Sequence, residues 1–402
     1  MTASYLARFK RRMLEAISLH AAITTPITAG LLERERLRLL TSSKSKAATM
    51  LQLTPITSLT VPAMLSAADG MDLLSPCREV IPWHLVEKAS SGLRKVVCPP
   101  LRIRVGQALA LDLLRAQFTP GGHIFNWRGR GCPRHVAAIK ECLETYGQYV
   151  IIADIRECHA SVNVDALYNY EFLPSELIRY SLDHRQLSFG RLGAASSNDD
   201  VGLYSVPDRE QADPRGLLEG GAASDALLAL LLNDLPDHLP RNSRAFVFSD
   251  NIVVVSTSAS ASTRALNALV RYLTEHPGGP FSIRSQSCHA RDGFEHTGYQ
   301  FQAASDGTVD IALSHSNALR SVTRLMQSFR PLSTQALSQI DPRALAREIL
   351  TAYPALGSSD REMLMEEASL YITGMLTDPP VQNEWNSEPD RSPQPEGTPD
   401  RG

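Results

Sequence analysis

Apolar positions change their spacing along the chain, and the spacing predicts the elements. Residues 149–155 and 245–255 are runs of apolar and β-branched residues, which are typical of strands. The second run is interrupted by Ser249-Asp250-Asn251 and then resumes, as a β-hairpin with a polar tip does. A further hairpin is predicted over residues 301–312, around Asp306-Gly307. Strands joined by tight turns are therefore predicted for the centre of the chain.

Other segments repeat their apolar residues at helical spacing and predict helices. These segments are residues 5–17, 31–40, 105–117, 133–146, 317–329, 342–353 and 360–376. Three stretches have no such period. Residues 54–62 are rich in Ser, Thr and Pro, and residues 188–214 are a long irregular insertion. Residues 377–402 contain six Pro and six acidic residues, so we expect this tail to be disordered.

Two carboxylates stand at the ends of the central strand runs. Asp154 closes the first run, and Asp250 lies at the tip of the predicted hairpin. Asp and Asn tolerate the backbone angles of tight turns, so structure alone can explain these residues. Two such carboxylates placed side by side would instead form an oxygen-rich site of the kind that Mg²⁺ prefers. The residues by themselves leave both explanations open.

The order of the surrounding segments, from about residue 77 to 303, resembles that of the reverse transcriptase family. The matching segments are the block 88–94 with the following Pro99-Pro100, Arg104 and Gln107; the Gly/Arg-rich stretch 125–131; Asp154-Ile155 with Ser161-Val162; the stretch 215–224; Phe248-Ser249-Asp250-Asn251; and the stretch 296–301. The resemblance is to the enzymes of group II introns, retrons and bacterial defence systems. It depends on six pieces in the correct order, none of them specific alone.

The resemblance implies an α+β fold with the right-hand architecture of a polymerase. Fingers would span residues 77–148, an antiparallel-sheet palm 149–303, and a helical thumb-like region 304–376. A basic helical extension, residues 1–76, would precede them, and the acidic tail would follow. The implied function is that of an RNA-directed DNA polymerase that acts in the cytoplasm on RNA and DNA template and primer, with dNTPs as substrates. The resemblance also extends to enzymes of antiviral defence.

The resemblance also implies the site residues. Asp154 and Asp250, with the backbone carbonyl of Ile155, would hold two Mg²⁺ ions, or Mn²⁺ in their place, for an in-line displacement at the α-phosphate. The expected nucleotide contacts are Arg94 and Lys88 to the phosphates, His159 as the sugar gate, and Gly220 and Ser224 in the pocket. The expected contacts to nucleic acid are Arg104, Arg128 and Arg130.

Departures from the family pattern keep other functions open. Asn251 stands where a second acid is usual, and His159 where an aromatic residue excludes the ribose 2′-hydroxyl. Glu219 and Asp225 replace a Gln and a Pro. No Lys follows Phe281 to protonate pyrophosphate; the nearby substitutes are Arg284, His289 and Arg291, of which His is the best general acid at neutral pH. The alternatives are a template-independent or protein-primed nucleotidyl transferase, and a degenerate palm scaffold that binds nucleic acid.

Charge supports a nucleic-acid partner only when it is counted by region. The chain of 402 residues has a net charge of −3. Residues 78–140, however, contain eleven Lys/Arg against three acids, and residues 1–46 contain nine against three. A local basic surface is what phosphate backbones require. For residues 1–46 a helix with a solvated face explains the charge equally well.

The cysteines and the hydropathy of the chain indicate the cellular compartment. The six Cys are scattered without close pairs, which predicts reduced thiols in a cytoplasmic protein and argues against a zinc site. No apolar run approaches the length of a membrane span, and the N-terminal residues lack the pattern of a signal peptide. The sequence indicates nothing about the oligomeric state.

Overall fold

The computed structural model describes residues 2–23, 25–53, 60–87, 93–191 and 216–313, together with single residues between 341 and 373. The chain divides into two compact units, Met1–Asp292 and Gly293–Gly402, and each is described by itself. Lys88, most of the insertion 188–214, most of the predicted thumb-like helices and the acidic tail lie outside the described residues.

The described part of the chain begins with four helices and continues with strands and helices. The helices are α1 (Ala3–Ala21), α2 (Pro26–Thr41), α3 (Ser43–Leu53), α4 (Val61–Asp69), α5 (Leu101–Gln117), α6 (Cys132–Thr145), α7 (Cys158–Ser161), α8 (Ser175–Leu177), α9 (Ser224–Leu231), α10 (Leu235–His238) and α11 (Ala259–Glu275). The strands are β1 (Val80–Glu87), β2 (Leu93–Val97), β3 (Tyr149–Ile155), β4 (Ser188–Arg191), β5 (Ser243–Phe248), β6 (Asn251–Ser256), β7 (Ile283–His289), β8 (Phe294–His296), β9 (Tyr299–Ala303) and β10 (Val309–Leu313). The predicted α+β class is confirmed, while fingers, palm and thumb remain predictions.

Four N-terminal helices share one apolar core with α5. Leu6 and Ile17 of α1 are fully buried in the same cluster as Leu109 and Leu113 of α5. Helix α1 begins at Thr2, whose hydroxyl accepts a hydrogen bond from the first turn, and α2 begins with a capping box at Thr25. The helices predicted at residues 5–17 and 31–40 are therefore confirmed, with longer bounds. Helices α1 to α5 are all parts of unit 1.

Three of the nine basic side chains of residues 1–46 are buried and paired inside the protein. The Lys10 ammonium is buried and lies 2.6 Å from the Asp112 carboxylate of α5. Arg36 is also buried and donates from Nε to the side-chain oxygen of Gln117 at 2.9 Å. Lys46 is buried and donates to the backbone carbonyl of Met71. Neither explanation offered for this charge, a nucleic-acid surface or a solvated face, therefore fits these three side chains.

An antiparallel sheet in the order β5-β6-β3-β7 forms the centre of unit 1. Strands β5 and β6 are joined by the two-residue turn Ser249-Asp250, because Phe248 pairs with Asn251. Helices α6 and α11 pack against this sheet, and the α11 face that does so buries Ala265, Leu269 and Leu273. The predicted strands and hairpin of this region are confirmed.

A smaller sheet has the order β2-β1-β4, in which β4 runs parallel to β1. Strand β4 corrects the prediction that residues 188–214 are irregular from their first residue. Phe189 pairs with Ile81 in register and packs on a small core formed by Ile81, Ile103 and Leu218. Four residues containing a Gly carry little strand preference of their own, so the pairing with β1 determines this strand.

The second unit contains an antiparallel sheet in the order β10-β9-β8. The predicted hairpin of residues 301–312 is confirmed as β9 and β10, joined by a turn at Ala304–Gly307. Phe294 and Phe301 stack with their ring centroids 4.9 Å apart. His296, two residues after Phe294, is also buried. In the parts of the chain that the structure describes, no helix has the length and apolar character needed to cross a membrane.

Candidate active site

The pairing of β3 with the β5–β6 hairpin brings Asp154 and Asp250 to the same end of the central sheet. Asp154 lies opposite Asn251 in the register of β3 and β6. The backbone N–H of Ile155 donates a hydrogen bond to the backbone carbonyl of Asp250 at 3.0 Å. The two carboxylates predicted from the sequence are thus neighbours across two segments that lie far apart in the chain.

Asp250 is held by its neighbour and is only partly exposed to solvent. The side-chain amide of Asn251 donates to Oδ1 of Asp250 at 2.8 Å. Burial raises the pKa of Asp250, and the nearby charge of Asp154 raises it further. Asn251 stands where a second acid is usual at the tip. It therefore adds no like charge there, and its amide anchors the Asp250 carboxylate through Oδ1.

The donor set suits a hard divalent cation. Burial and the nearby charge of Asp154 disfavour an ionised Asp250, and a cation beside its carboxylate would relieve both costs. Among the described residues there is no group of three His, Cys, Asp or Glu side chains placed to hold a metal. Mg²⁺ commonly takes one or two carboxylates together with waters and substrate phosphates, so Asp154 and Asp250 are a sufficient protein contribution. The role of the Ile155 carbonyl stays a prediction.

Asp225 also belongs to this cluster, and the sequence had marked it only as a departure from the family pattern. Its carboxylate accepts a hydrogen bond from the hydroxyl of Ser249, at 3.0 Å, and so is tied to the hairpin tip. The same carboxylate oxygen lies 3.4 Å from Nε2 of His159. At this separation the two atoms form a close polar contact that does not meet the geometry of a hydrogen bond. The contact with His159 and the Ser249 hydroxyl lower the pKa of Asp225, against the opposing effect of burial.

His159 lies on the short helix α7, which follows Asp154 and β3. Its side chain is 19% exposed, and Nε2 is buried. The loop before α9 packs against the backbone of α7, where the N–H of Leu217 donates to the carbonyl of His159 at 2.7 Å. Gly216 allows this approach, because it has a φ of +83° and a Cβ there would lie 2.1 Å from the His159 carbonyl oxygen. His159, the predicted sugar gate, is thereby held against the loop that begins at Gly216.

The predicted pocket residues Gly220 and Ser224 occupy different environments. Gly220 has a φ of +77° and is exposed, and a Cβ there would meet no atom within 4 Å. Ser224 is buried, and its hydroxyl donates to the carbonyl of Leu218 at 2.7 Å. The expected direct contact of Ser224 with a nucleotide is therefore corrected to a structural role in the loop, while the role of Gly220 stays a prediction.

A cavity of about 860 Å³ opens beside Asp154. Its wall includes the side chains of Arg156, Arg185 and Arg284. Arg284 lies directly opposite Asp154 in the register of β3 and β7. Arg185 is paired with Asp183 and Asp165, whereas Arg156 and Arg284 are exposed and make no ion pair with the described residues. A polyanion is the ligand that suits these two guanidinium groups.

The register excludes His289 from the role considered for it. His289 pairs with Tyr149, at the opposite end of β3 from the pair Asp154–Arg284. Five residues of strand separate the two pairs, which corresponds to about 17 Å. The imidazole packs edge-on against the Tyr149 ring with centroids 5.0 Å apart. The suggestion that His289 protonates pyrophosphate is therefore wrong, because the strand direction carries it away from the carboxylates.

Two arginines expected to contact nucleic acid are engaged inside the protein. Arg104 donates to the backbone carbonyl of Leu53 at 2.8 Å. Arg130 donates to the carbonyls of Ile124 and Pro120, and to that of Gly121, and so holds the Gly/Arg-rich loop together. Both side chains thus hold backbone carbonyls of the protein, and their expected contacts with nucleic acid stay predictions.

Arg128 is exposed, and its contact with nucleic acid stays a prediction. Arg94 lies on β2 opposite Val86, but its side chain, like all of Lys88, is outside the described residues. Sequence reasoning missed Arg156 and Arg185 as candidates. Arg156 directly follows Asp154-Ile155, whereas Arg185 reaches the cavity wall only through the fold of the chain.

Comparison with known proteins gives similarity at the level of structure alone. No family model and no curated protein matches the chain. The Sicinivirus 3Dpol RNA-dependent RNA polymerase is similar with a TM-score of 0.44 and 10% identity, over 75% of this chain and 65% of the viral chain. The apo telomerase of Candida tropicalis, truncated from its C-terminal domain, is similar with a TM-score of 0.40 and 12% identity, over 60% of this chain and 56% of that chain. The chain thus spans less than two-thirds of either neighbour.

Proposed function

We propose that this protein is a metal-dependent nucleotidyl transferase of the polymerase class, and that it extends a DNA strand on an RNA template as a reverse transcriptase does. The observation that carries the proposal is the register that sets Asp154 opposite the Asp250 hairpin tip, beside a cavity lined by arginines. Carboxylates that bind a cation and guanidinium groups that bind a polyphosphate are the two components that such a transfer requires.

Each residue of the cluster has a task that its position supports. Asp154 and Asp250 would hold the Mg²⁺ ions, which when bound supply charge neutralisation at the attacking and leaving oxygens. Asn251 orients the Asp250 carboxylate through its amide. Arg284, opposite Asp154, and Arg156 would contact the nucleotide phosphates from the cavity wall. Gly220, at an open position of the loop before α9, would leave room for the nucleotide.

The reverse transcriptase form of the reaction is supported by the order of the sequence segments. Six segments that resemble that family follow one another between about residues 77 and 303. The proposal therefore includes dNTP substrates, an RNA template with a DNA primer, and two Mg²⁺ ions, with Mn²⁺ as a substitute. A role in antiviral defence in the cytoplasm is proposed on the same resemblance.

The test is an incorporation assay on the purified full chain with Mg²⁺. Labelled dNTPs and NTPs are offered with and without a primed RNA template, and the parent is compared with Asp154→Asn. A matched control is Asp310→Asn, which removes an exposed carboxylate on β10. We expect template-directed DNA synthesis in the parent and the control and none in Asp154→Asn. Untemplated products, or label bound to the protein, would indicate the transferase alternative. Folded but inactive parent protein would contradict the proposal and favour the scaffold.

A further inference from the structure

The turn between α1 and α2 presents three large aliphatic side chains to solvent. Leu19 is 61% exposed, Ile23 46% and Ile27 79%, which makes them the three most exposed large hydrophobic residues in the described part of the chain. Such residues are ordinary where they are scattered singly, whereas a contiguous group of them marks a surface that binds a partner.

Local hydrogen bonds gather these side chains into one patch. Ile23 follows Leu19 by four residues at the C-terminal end of α1, and residues at this spacing are neighbours on a helix surface. The Ile23 carbonyl accepts from the hydroxyl of Thr28 at 2.5 Å and from the N–H of Thr25 at 3.3 Å. The first turn of α2, which contains Ile27, is therefore held against the end of α1. Leu19, Ile23 and Ile27 together form the α1–α2 tip.

Two arginines lie on the same side of α1 as the tip. Arg8 and Arg12 are exposed, and they precede Leu19 by eleven and seven residues, which are spacings that return to one face of a helix. The opposite face of α1 is fixed in the core of unit 1, where Leu6 and Ile17 are fully buried. The arginines and the aliphatic tip are therefore presented together on one outward surface.

This outward surface is basic and has little acid near it. Glu15 is the only acidic residue among residues 1–32, and its carboxylate lies 3.7 Å from the guanidinium of Arg11. Neither Arg8 nor Arg12 forms an ion pair with another described residue. Aliphatic side chains flanked by unpaired guanidinium groups match an anionic lipid surface. Its headgroup phosphates attract the arginines, and the boundary of its acyl chains accepts the apolar atoms.

A second copy of the chain fits this surface less well. A standard protein interface buries roughly 800 Å² on each partner, which three side chains cannot supply. Packing of two tips would also bring the arginines of two α1 helices towards each other, with Glu15 as the one acid on each helix to offset them. A lipid bilayer requires neither a large area nor a matching shape, and an anionic one carries the opposite charge.

We propose that the α1–α2 tip is a peripheral docking site for an anionic lipid bilayer. Leu19, Ile23 and Ile27 enter the boundary between headgroups and acyl chains, and Arg8 and Arg12 contact the lipid phosphates. A patch of this size gives weak and reversible attachment, which salt weakens further. The inference is independent of the proposed nucleotidyl transfer, because none of these residues belongs to the candidate active site.

The experiment is co-sedimentation of the purified full chain with lipid vesicles. One set of vesicles is phosphatidylcholine, and the other is phosphatidylcholine mixed with phosphatidylserine at a ratio of about two to one. Ile27→Ser removes the most exposed aliphatic side chain of the tip. Val270→Ser on α11 is its matched control, because Val270 is also an exposed aliphatic residue, at 41%.

A pair of charge variants tests the arginines. The double variant Arg8→Gln, Arg12→Gln is compared with the double variant Arg264→Gln, Arg271→Gln, which removes two exposed arginines of α11. All the replaced side chains are exposed, so every variant should keep its fold, and thermal denaturation checks this.

We expect the parent to bind the anionic vesicles at least tenfold more tightly than the neutral ones, and to lose this binding as the salt concentration is raised. Ile27→Ser should weaken the binding about fivefold or more, because less apolar surface enters the bilayer. The double variant of Arg8 and Arg12 should weaken it about tenfold or more. Both α11 controls should bind as the parent does.

Folded parent protein that binds neither kind of vesicle, or both equally, would overturn the inference. Full binding by Ile27→Ser, or an equal loss in the α11 controls, would also overturn it, because the tip would then not be the surface that docks. A parent dimer in light scattering that Ile27→Ser converts to a monomer would assign the tip to a second copy instead. Nucleotide incorporation by Ile27→Ser should equal that of the parent, which separates this site from the proposed reaction.

Discussion

The backbone N–H of Ile155 donates to the carbonyl of Asp250 at 3.0 Å, and this one hydrogen bond locks the end of β3 to the tip of the β5–β6 hairpin. The relationship sets the position of the Asp250 backbone relative to Asp154, the residue before Ile155. The two carboxylates are rigidly placed, because neither of them lies on a long loop.

Removal of the Asp250 carboxylate should abolish nucleotide incorporation and leave the fold intact. Asp250→Ala and Asp250→Asn should both lower kcat by about a thousandfold or more, because one ligand of the proposed metal site is lost. Burial and the neighbouring Asp154 raise the pKa of Asp250, so its loss removes an unfavourable charge and should not lower the melting temperature. Incorporation rates and thermal denaturation check this, and Asp310→Asn is the control. Activity close to that of the parent would contradict the metal-site assignment.

Two glycines with similar backbone angles should respond differently to a methyl group. Gly216 and Gly220 have φ of +83° and +77°, so either replacement by Ala should cost about 1–2 kcal/mol of stability through strain. At Gly216 the new Cβ would also overlap the His159 carbonyl oxygen, whereas at Gly220 it meets open space. Gly216→Ala should therefore lower the free energy of unfolding by clearly more than Gly220→Ala. Urea denaturation measures both, and equal losses would mean that the loop does not pack on α7 as described.

Substitution of Arg284 should affect nucleotide binding, whereas substitution of Arg130 should affect stability. Arg284→Ala should raise the KM for nucleotide about tenfold or more with little change in stability, because the side chain is exposed and faces the cavity. Arg130→Ala should lower the free energy of unfolding by about 1–3 kcal/mol, because backbone carbonyls such as those of Ile124 and Pro120 lose their donor. Steady-state kinetics and urea denaturation of both variants check the contrast. A stability loss in Arg284→Ala and none in Arg130→Ala would reverse the assignment.

Acid should destabilise the second unit through His296. Burial lowers the pKa of His296 from 6.5 to about 4, so the folded form keeps the imidazole neutral. Above pH 6.5 neither state holds the proton, and the full stability is present. As the pH falls from 6.5 to about 4, His296 becomes protonated in the unfolded chain but stays neutral in the folded protein. The free energy of unfolding therefore falls by about 3 kcal/mol. Below pH 4 this loss levels off.

The measurement for His296 is urea denaturation of the parent and of His296→Gln at several pH values between 7.5 and 4. The difference between the two proteins isolates this residue from the other titrating groups. We expect the parent to be favoured most at pH 7.5 and the advantage to shrink as the pH falls. A difference that does not vary with pH would show that His296 titrates normally in the folded protein.

The sequence by itself determined the elements whose pattern is local. The strands at Asp154 and Asp250, the helices α1, α2, α5 and α6, and the hairpin β9–β10 were predicted because side-chain periodicity and turn residues act over a few neighbouring positions. The pairing of the two carboxylates was expected only through the resemblance in the order of the segments, because no local pattern states which strands are neighbours.

Tertiary structure alone decided which side chains meet. Asp225 joined the site, and Arg284 came to face Asp154, through the register of strands and the placement of α9. The same register carried His289 to the far end of β3. Arg130 became a donor to its own loop because buried carbonyls require partners, a demand that arises only when the chain is folded. Short-range patterns fix the elements, whereas long-range packing and hydrogen-bond satisfaction fix the site.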